Sequence, residues 1–335
     1  MPVKPGESRG TVIYSYSKLR SYDNCPLQFR LRYVDRIPAP REGIEAFTGK
    51  RVHELLEALY RALLPDPEPP PLADLLALFD TAWERAWHPA VEIVRPEAVV
   101  EDYQRMGRRC LATFYRGNWP FSGDRTLGLE VEMEFGLDPG SEAGPRLRGV
   151  VDRVALNELG ELVIHDYKTS TYLPRKEEIL ADLQLAIYQL GAAEVWPERQ
   201  DPKLVWHFLA FGRRVTVRLG GNGIASKEAD IRRGIERVER ALQQGRFPAR
   251  ISKLCRWCAY RASCPDYAER QGVPVIPLPA PAPEPPPASN PLPDADAIPR
   301  SARLELLPLT QPRSRARTST ELEALIARER QLRLI

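Results

Sequence analysis

A chain of 335 residues is too long for one small domain and too short for a multidomain motor, so one or two domains with a sizeable core are expected. The charge sum, 48 − 45 = +3, is too weak a surplus to imply a nucleic-acid partner by itself, because a local basic groove can hide inside a nearly neutral total. Proline is the outlier: 33 of 335 residues is about double the usual share of about 5%, and 11 of them fall between Pro274 and Pro299, so part of the chain is not folded domain. The cysteines form an odd set of five, and Cys255, Cys258 and Cys264 crowd into ten residues. That spacing is unlike the even frameworks of secreted mini-proteins and suits a metal better. The N-terminus has no apolar signal region and no stretch reaches the roughly 18 apolar residues that span a bilayer, which implies a cytoplasmic, reducing compartment and no membrane partner.

In chain order, Ser15 or Ser17 offers an N-cap, and Leu19, Tyr22, Phe29 and Tyr33 recur at near-helical spacing, broken near Cys25-Pro26. From Gly49 to Leu64, Val52, Leu55, Leu56, Leu59 and Leu63 lie on one stripe, an amphipathic helix stopped by Pro65 and carrying His53 in its first turns. A proline-rich break leads to two more helical segments, Leu72 to Trp87 and about Pro96 to Tyr115, so residues of about 50–125 read as a helical insertion.

The texture then changes. Leu129, Val131, Met133 and Phe135 alternate with Glu130, Glu132 and Glu134, the period of a half-buried strand over Leu127 to Leu137. A hairpin follows, Leu147 to Leu156 and Glu161 to Lys168 around a turn at Asn157 to Gly160. Glu177 to Glu194 reads as a helix, Lys203 to Phe211 and Arg214 to Leu219 as strands, and Lys227 to Gln244 as a helix ended by Gly245. The order predicts an α/β fold with a mixed sheet flanked by helices, because adjacent hairpins demand antiparallel pairs. The folded domain is placed at 1–270, with the cysteine cluster at 254–268. A disordered, polyproline-like linker follows at 271–300, and a tail at 301–335 carries a candidate docking helix from Thr318 to Ile335.

The chemistry concentrates in the hairpin. Period-2 geometry puts Ile164, Asp166 and Lys168 on one face, and Asp152 stands on the neighbouring strand. Two such carboxylates repel unless a divalent cation neutralises both, and hard oxygen ligands favour Mg²⁺ or Mn²⁺ over zinc. An ammonium beside that cation can orient a water and stabilise charge on a phosphoryl group, so phosphodiester hydrolysis is the implied reaction class.

Three motifs in order, Gly149-Val-Val-Asp152-Arg153, Asp166-Tyr167-Lys168-Thr169-Ser170 and Gln184-Leu-Ala-Ile-Tyr188, resemble the core of the PD-(D/E)XK nucleases, in particular the RecB-like branch with its restriction-endonuclease-like sheet. The N-terminal run Tyr16-Ser17-Lys18-Leu19…Tyr22…Cys25-Pro26…Phe29…Tyr33 and the Gly49…His53 helix extend the resemblance over about residues 12–268. It implies His53, Asp152, Asp166 and the carbonyl of Tyr167 as metal ligands, Lys168 as the catalytic lysine, and Gln184 and Tyr188 bordering the site against DNA or Lys168. It also implies an accessory strand carboxylate, for which Glu130 aligns best, with Glu132 and Glu134 on its face.

Cys255, Cys258 and Cys264 offer three thiolates and need a fourth ligand from elsewhere, for which Cys25 is the candidate. Similarity to the AddB nuclease domain and the CRISPR adaptation nucleases implies a [4Fe–4S] cluster on these four residues, with Zn²⁺ in the same site as the alternative. Cys110 is left as a core thiol. Arg153, Arg175, Lys176, Arg213, Arg214, Arg256 and Arg261 are candidate phosphate contacts.

The expected function is therefore a metal-dependent DNA nuclease, an exonuclease on single strands or duplex ends. The competing class is a non-catalytic, cluster-stabilised DNA-binding or scaffold subunit of a helicase–nuclease complex. No ATP site is expected: the P-loop-like string from Gly43 to Arg51 has the wrong spacing and lacks the Ser or Thr. A helicase or other protein partner would dock on the tail.

Overall fold

The structure is a computed structural model that describes residues 13–64, 67–138, 144–199 and 201–281. Most of the proline-rich linker and the candidate docking helix lie outside the described residues. Strand β1 (Ile13–Tyr14) leads to Ser15, whose side chain accepts from Lys18 N and starts helix α1 (Tyr16–Asn24). Cys25 separates it from the short α2 (Pro26–Phe29), opened by proline at its first position and continued by a π-helical turn, Arg30–Val34. Strand β2 (Glu42–Gly43) precedes α3 (Ile44–Leu63), which begins five residues before the expected Gly49 because Ile44 and Phe47 are buried, Phe47 edge-on to Trp83. Then come α4 (Leu72–Ala86), β3 (Val91–Glu92), which pairs in parallel with β2, and α5 (Val100–Asn118).

Six strands build the main sheet: β1, β4 (Asp124–Gly136), β5 (Arg146–Asn157), β6 (Leu162–Lys168), β7 (Lys203–Phe208) and β8 (Arg213–Val217). The pairs β4–β5, β5–β6 and β7–β8 are antiparallel, whereas β1–β5 and β6–β7 are parallel, so the sheet is mixed. Between β6 and β7 run α6 (Lys176–Ala181) and α7 (Leu183–Val195). The helix expected over Glu177 to Glu194 is thus two, because Asp182 sits in extended backbone and its carboxylate caps Gln184 N. Helix α8 (Gly221–Gln244) ends at left-handed Gly245, and α9 (Pro265–Gln271) follows the cysteine segment.

Helices cover both faces of this sheet. On one, α1, α7 and α8 pack on Val131, Met133, Phe135, Val151, Ile164 and Trp206; on the other, α3, α4 and α5 pack on Leu129, Tyr167 and Leu209. Gly191 lets α7 lie close on β4, since a Cβ there would come within 2.8 Å of the Phe135 ring. Leu129 therefore faces the opposite layer from Val131, Met133 and Phe135, contrary to the uniform alternation expected. The strand reverses its facing at Glu130, whose φ of 47° is left-handed. Among the described residues no helix is long and apolar enough to cross a membrane.

Candidate active site

A gap in the sheet creates the site. Strand β5 pairs with β4 along one edge; on the other, its start (Arg146, Leu147) pairs with β1 and its end (Arg153 to Leu156) with β6. Among the described residues, 148–152 between them have no ladder partner on that edge. β6 instead carries Asp166, Tyr167 and Lys168 away to pair with Trp206, His207 and Phe208 of β7. Side chains take up the backbone groups left in the gap: Asp152 Oδ2 accepts Tyr167 N at 2.6 Å, and the Val150 carbonyl lies 2.7 Å from the Tyr188 hydroxyl.

The Asp166 carboxylate is 4% exposed. Its Oδ2 meets Lys168 Nζ at 2.6 Å without the angles of a hydrogen bond, and its Oδ1 lies 3.2 Å from the Tyr188 hydroxyl. Lys168 Nζ also donates to Gln184 Oε1 at 2.7 Å, and Gln184 Nε2 donates to Tyr188 at 2.7 Å, so one face of α7 holds the ammonium in place.

From the other layer α3 brings His53, with Nδ1 3.1 Å from Asp152 Oδ1 and Nε2 2.8 Å from the Tyr167 carbonyl. Gly49, one turn earlier, permits this approach, because a Cβ would sit 3.1 Å from Thr169 Oγ1. Both ring nitrogens face acceptors, which calls for an imidazolium. Burial works against that charge, but Asp152, backed by Asp166 and Glu130, pushes the His53 pKa up to about 9. Asp152 is held below its ordinary value because His53, Tyr167 N and Lys168 outweigh its burial. Asp166 is raised, since burial and the Asp152 charge outweigh Lys168.

Candidate ligand atoms of His53, Glu130 and Asp152 lie within 4.8 Å of one another. The buried Asp166 Oδ2 lacks a well-directed donor, and the His53 imidazolium, with one N–H toward Asp152 and the other toward the Tyr167 carbonyl, supplies positive charge where a cation could. An imidazole, three carboxylates and a carbonyl fit a hard divalent ion. Glu132 and Glu134, the other candidates on β4, are engaged by Arg148 and Arg146.

Arg153 departs from expectation. Expected to contact phosphate, it is 2% exposed, because its strand turns that position inward. Its guanidinium lies 4.1 Å from the Tyr60 ring centroid and donates to Tyr167 Oη at 3.2 Å, Thr126 Oγ1 at 3.2 Å and His165 Nε2 at 3.0 Å, with Asp124 at 3.4 Å. His165 Nδ1 continues to His207 Nε2 at 2.9 Å. This buried network steadies Tyr167, whose backbone reaches both His53 and Asp152. Its sequence signal was two histidines inside otherwise apolar strands. Arg175 and Lys176 are exposed at the start of α6, with Arg175 beside Glu178; Arg213 and Arg214 are exposed on β8.

The four predicted cysteines converge from Cys25 and the 255–264 segment, and none forms a disulfide. Burial, with the thiols of Cys25, Cys255 and Cys264 adding, pushes Cys258 up to about 11. Each sulfur accepts a backbone N–H: Cys25 from Arg250 at 3.4 Å, Cys255 from Ser252 at 3.4 Å, Cys258 from Tyr260, and Cys264 from Asp266 and Tyr267. Among the described residues these four sulfurs do not draw within 4.8 Å of one another as the ligand atoms of His53, Glu130 and Asp152 do. Cys110 is buried in the helical layer, its thiol pushed up to about 11 by desolvation.

Among solved structures the chain is similar to a candidate exonuclease from Eubacterium rectale (13% identity, 73% of this chain and 86% of that one covered, TM-score 0.45). It is also similar to a protein named SSO0001 (13% identity, 78% and 89% covered, TM-score 0.32). No curated protein matches the chain. The sequence profile of the PD-(D/E)XK nuclease superfamily matches residues 13–265, the whole of the sheet, the gap and the cysteine segment. The chain belongs to the PD-(D/E)XK nuclease superfamily and is a metal-dependent nuclease.

Proposed function

We propose that this nuclease is a RecB-like exonuclease that hydrolyses DNA from single strands or duplex ends, with Mg²⁺ or Mn²⁺ at the gap and a [4Fe–4S] cluster on Cys25, Cys255, Cys258 and Cys264. The observation that carries the reading is the convergence, on one break in the sheet, of His53 from α3 with Glu130, Asp152, Asp166 and Lys168 from β4, β5 and β6. A divalent ion bound there supplies charge neutralisation and Lewis-acid pull on a phosphoryl oxygen. His53, Glu130, Asp152, Asp166 and the Tyr167 carbonyl would hold it, His53 giving up its proton. Lys168, fixed by Gln184, is placed to orient an attacking water and to stabilise charge growing on the phosphoryl oxygens. Tyr188 and Gln184 keep that ammonium and Asp166 in register. Arg175 and Lys176 are candidate phosphate contacts at the mouth. The thiol site serves structure, tying the N-terminal helices to the end of the domain, and a helicase or other partner would engage the tail.

The test is cleavage of end-labelled single-stranded and duplex DNA with Mg²⁺ or Mn²⁺. Asp166→Ala and Lys168→Ala are each expected to lower the rate by about 10³-fold while oligonucleotide binding survives. Full activity in either variant would overturn the assignment, and products from circular DNA would exclude an exonuclease. Anaerobic protein should be brown with stoichiometric iron and sulfide; colourless protein with zinc would replace the cluster by that metal.

A further inference from the structure

Beside the thiol site lies a cavity of about 510 Å³, walled by the turn 251–256 and the last turns of α9. Lys253, Arg256 and Arg270 line it together with Tyr267, and no carboxylate does. Among the described residues none of the three cations makes an ion pair; the Arg256 guanidinium lies 5.7 Å from the Trp257 ring centroid, which is 44% exposed. Neighbouring cations such as Arg261, paired with Glu92, and Arg237, paired with Asp23, are neutralised where these three are not. Nor do the three serve the sulfurs, whose donors are backbone amides. Three like charges converging on one cavity repel, and an anion with several charges offsets that repulsion.

We propose that this cavity is a second nucleic-acid site, in which Lys253, Arg256 and Arg270 hold backbone phosphates of a DNA strand whose other part lies at the gap in the sheet. The proposal rests on the nuclease reading for its ligand and adds a non-catalytic grip that shares no residue with the metal site. Tyr267 in the wall and the exposed Trp257 at its side offer rings on which unpaired bases can stack, which favours a single strand over a duplex. The grip is independent of base identity, since contacts to backbone phosphates carry no sequence information.

The experiment uses the full chain, as purified with its thiol-bound metal, and the variant Lys253→Gln/Arg270→Gln, which leaves Arg256 and all four cysteines in place. Fluorescence anisotropy of a labelled single-stranded oligonucleotide, without added divalent cation, is recorded across a salt series. The double variant should bind more weakly, and the slope of log affinity on log salt should fall by about 0.7 per cation removed. Its visible spectrum should match the parent. An unchanged affinity and slope would overturn the proposal, as would a mononucleotide binding the parent as tightly as the oligonucleotide, which would mark a small-molecule site. Hydrolysis of bis(p-nitrophenyl) phosphate, too small to reach from gap to cavity, should be equal in both proteins. If the parent itself fails to hydrolyse it, the nuclease reading fails while the anisotropy result still decides the cavity.

Discussion

Arg153 shows how one residue changes meaning between a string of letters and a fold. Beside Asp152 in the sequence, it reads as a phosphate contact; in the structure it is a buried cation behind Tyr167, holding the strand whose carbonyl and amide face His53 and Asp152. Arg153→Met should cost about 3 kcal/mol in urea unfolding, because it leaves His165, Asp124 and the Tyr167 hydroxyl without their donor. It should also weaken Mn²⁺ binding, measured by calorimetry, by about 10- to 100-fold. His165 gives a pH prediction. Burial and the neighbouring Arg153 lower its pKa to about 4, and His207, buried beside it, is also held well below its ordinary value. The unfolded chain takes up these protons near pH 6.5, so protons favour unfolding below that value. Stability is complete above about pH 6.5 and falls by about 3 kcal/mol for His165 as the pH approaches 4. Unfolding midpoints measured across that window check this, and His165→Gln should flatten the profile. Asp152, Asp166 and Lys168 were legible as candidates because strand periodicity and their chemistry coincide. Strand periodicity alone left Glu130, Glu132 and Glu134 on one face and only the resemblance favoured Glu130; in the structure Glu130 is a left-handed residue where the strand reverses its facing, and its carboxylate lies near His53 and Asp152.

At the level of elements, the hydrophobic stripes located the long helices and the strands β4 to β8, but not the two-residue strands β1, β2 and β3 or the short α9, which are too brief to carry a period; boundaries moved where tertiary contact overrode local pattern. Helix α3 runs back to Ile44 because Phe47 is buried with Trp83. The break at Asp182 separates α6 from α7 and sets the start of the helix that carries Gln184 and Tyr188. Asp182 caps Gln184 N at 2.7 Å and accepts from Tyr16 at 3.0 Å. Asp182→Ala should therefore cost about 1 kcal/mol in unfolding. In the same variant Tyr16, pushed up to about 12 by burial and Asp182, should titrate at lower pH. Gly191→Leu should cost about 1–3 kcal/mol by overpacking against Phe135 and Met133. Calorimetric melting of that variant should show the loss while the cysteine site keeps its metal.

Across the whole molecule, long-range ties hold the sheet, the helical layer and the cysteine segment together. Arg261 donates to Glu92 of β3 at 2.7 Å, joining the cysteine segment to the small sheet at the head of α3, and Tyr260 donates to the Ile37 carbonyl at 2.8 Å. The proposed metal centre joining Cys25 to Cys255 would close a loop of 255 − 25 = 230 residues, which on chain entropy alone would stabilise the fold by about 5 kcal/mol. Cys25→Ser should lower the urea midpoint accordingly and release the metal, whereas Cys110→Ser should leave the metal in place. The sequence alone determined the order of elements, the mixed sheet and the candidate acids and thiols, since periodicity, turn residues and side-chain chemistry are local properties of the chain. Only the tertiary structure decided where strands part, which arginine is buried, and that three cations line one cavity unpaired beside the thiols. Each of these depends on contacts between residues far apart in sequence, where packing and loss of solvent reset what a local pattern can specify.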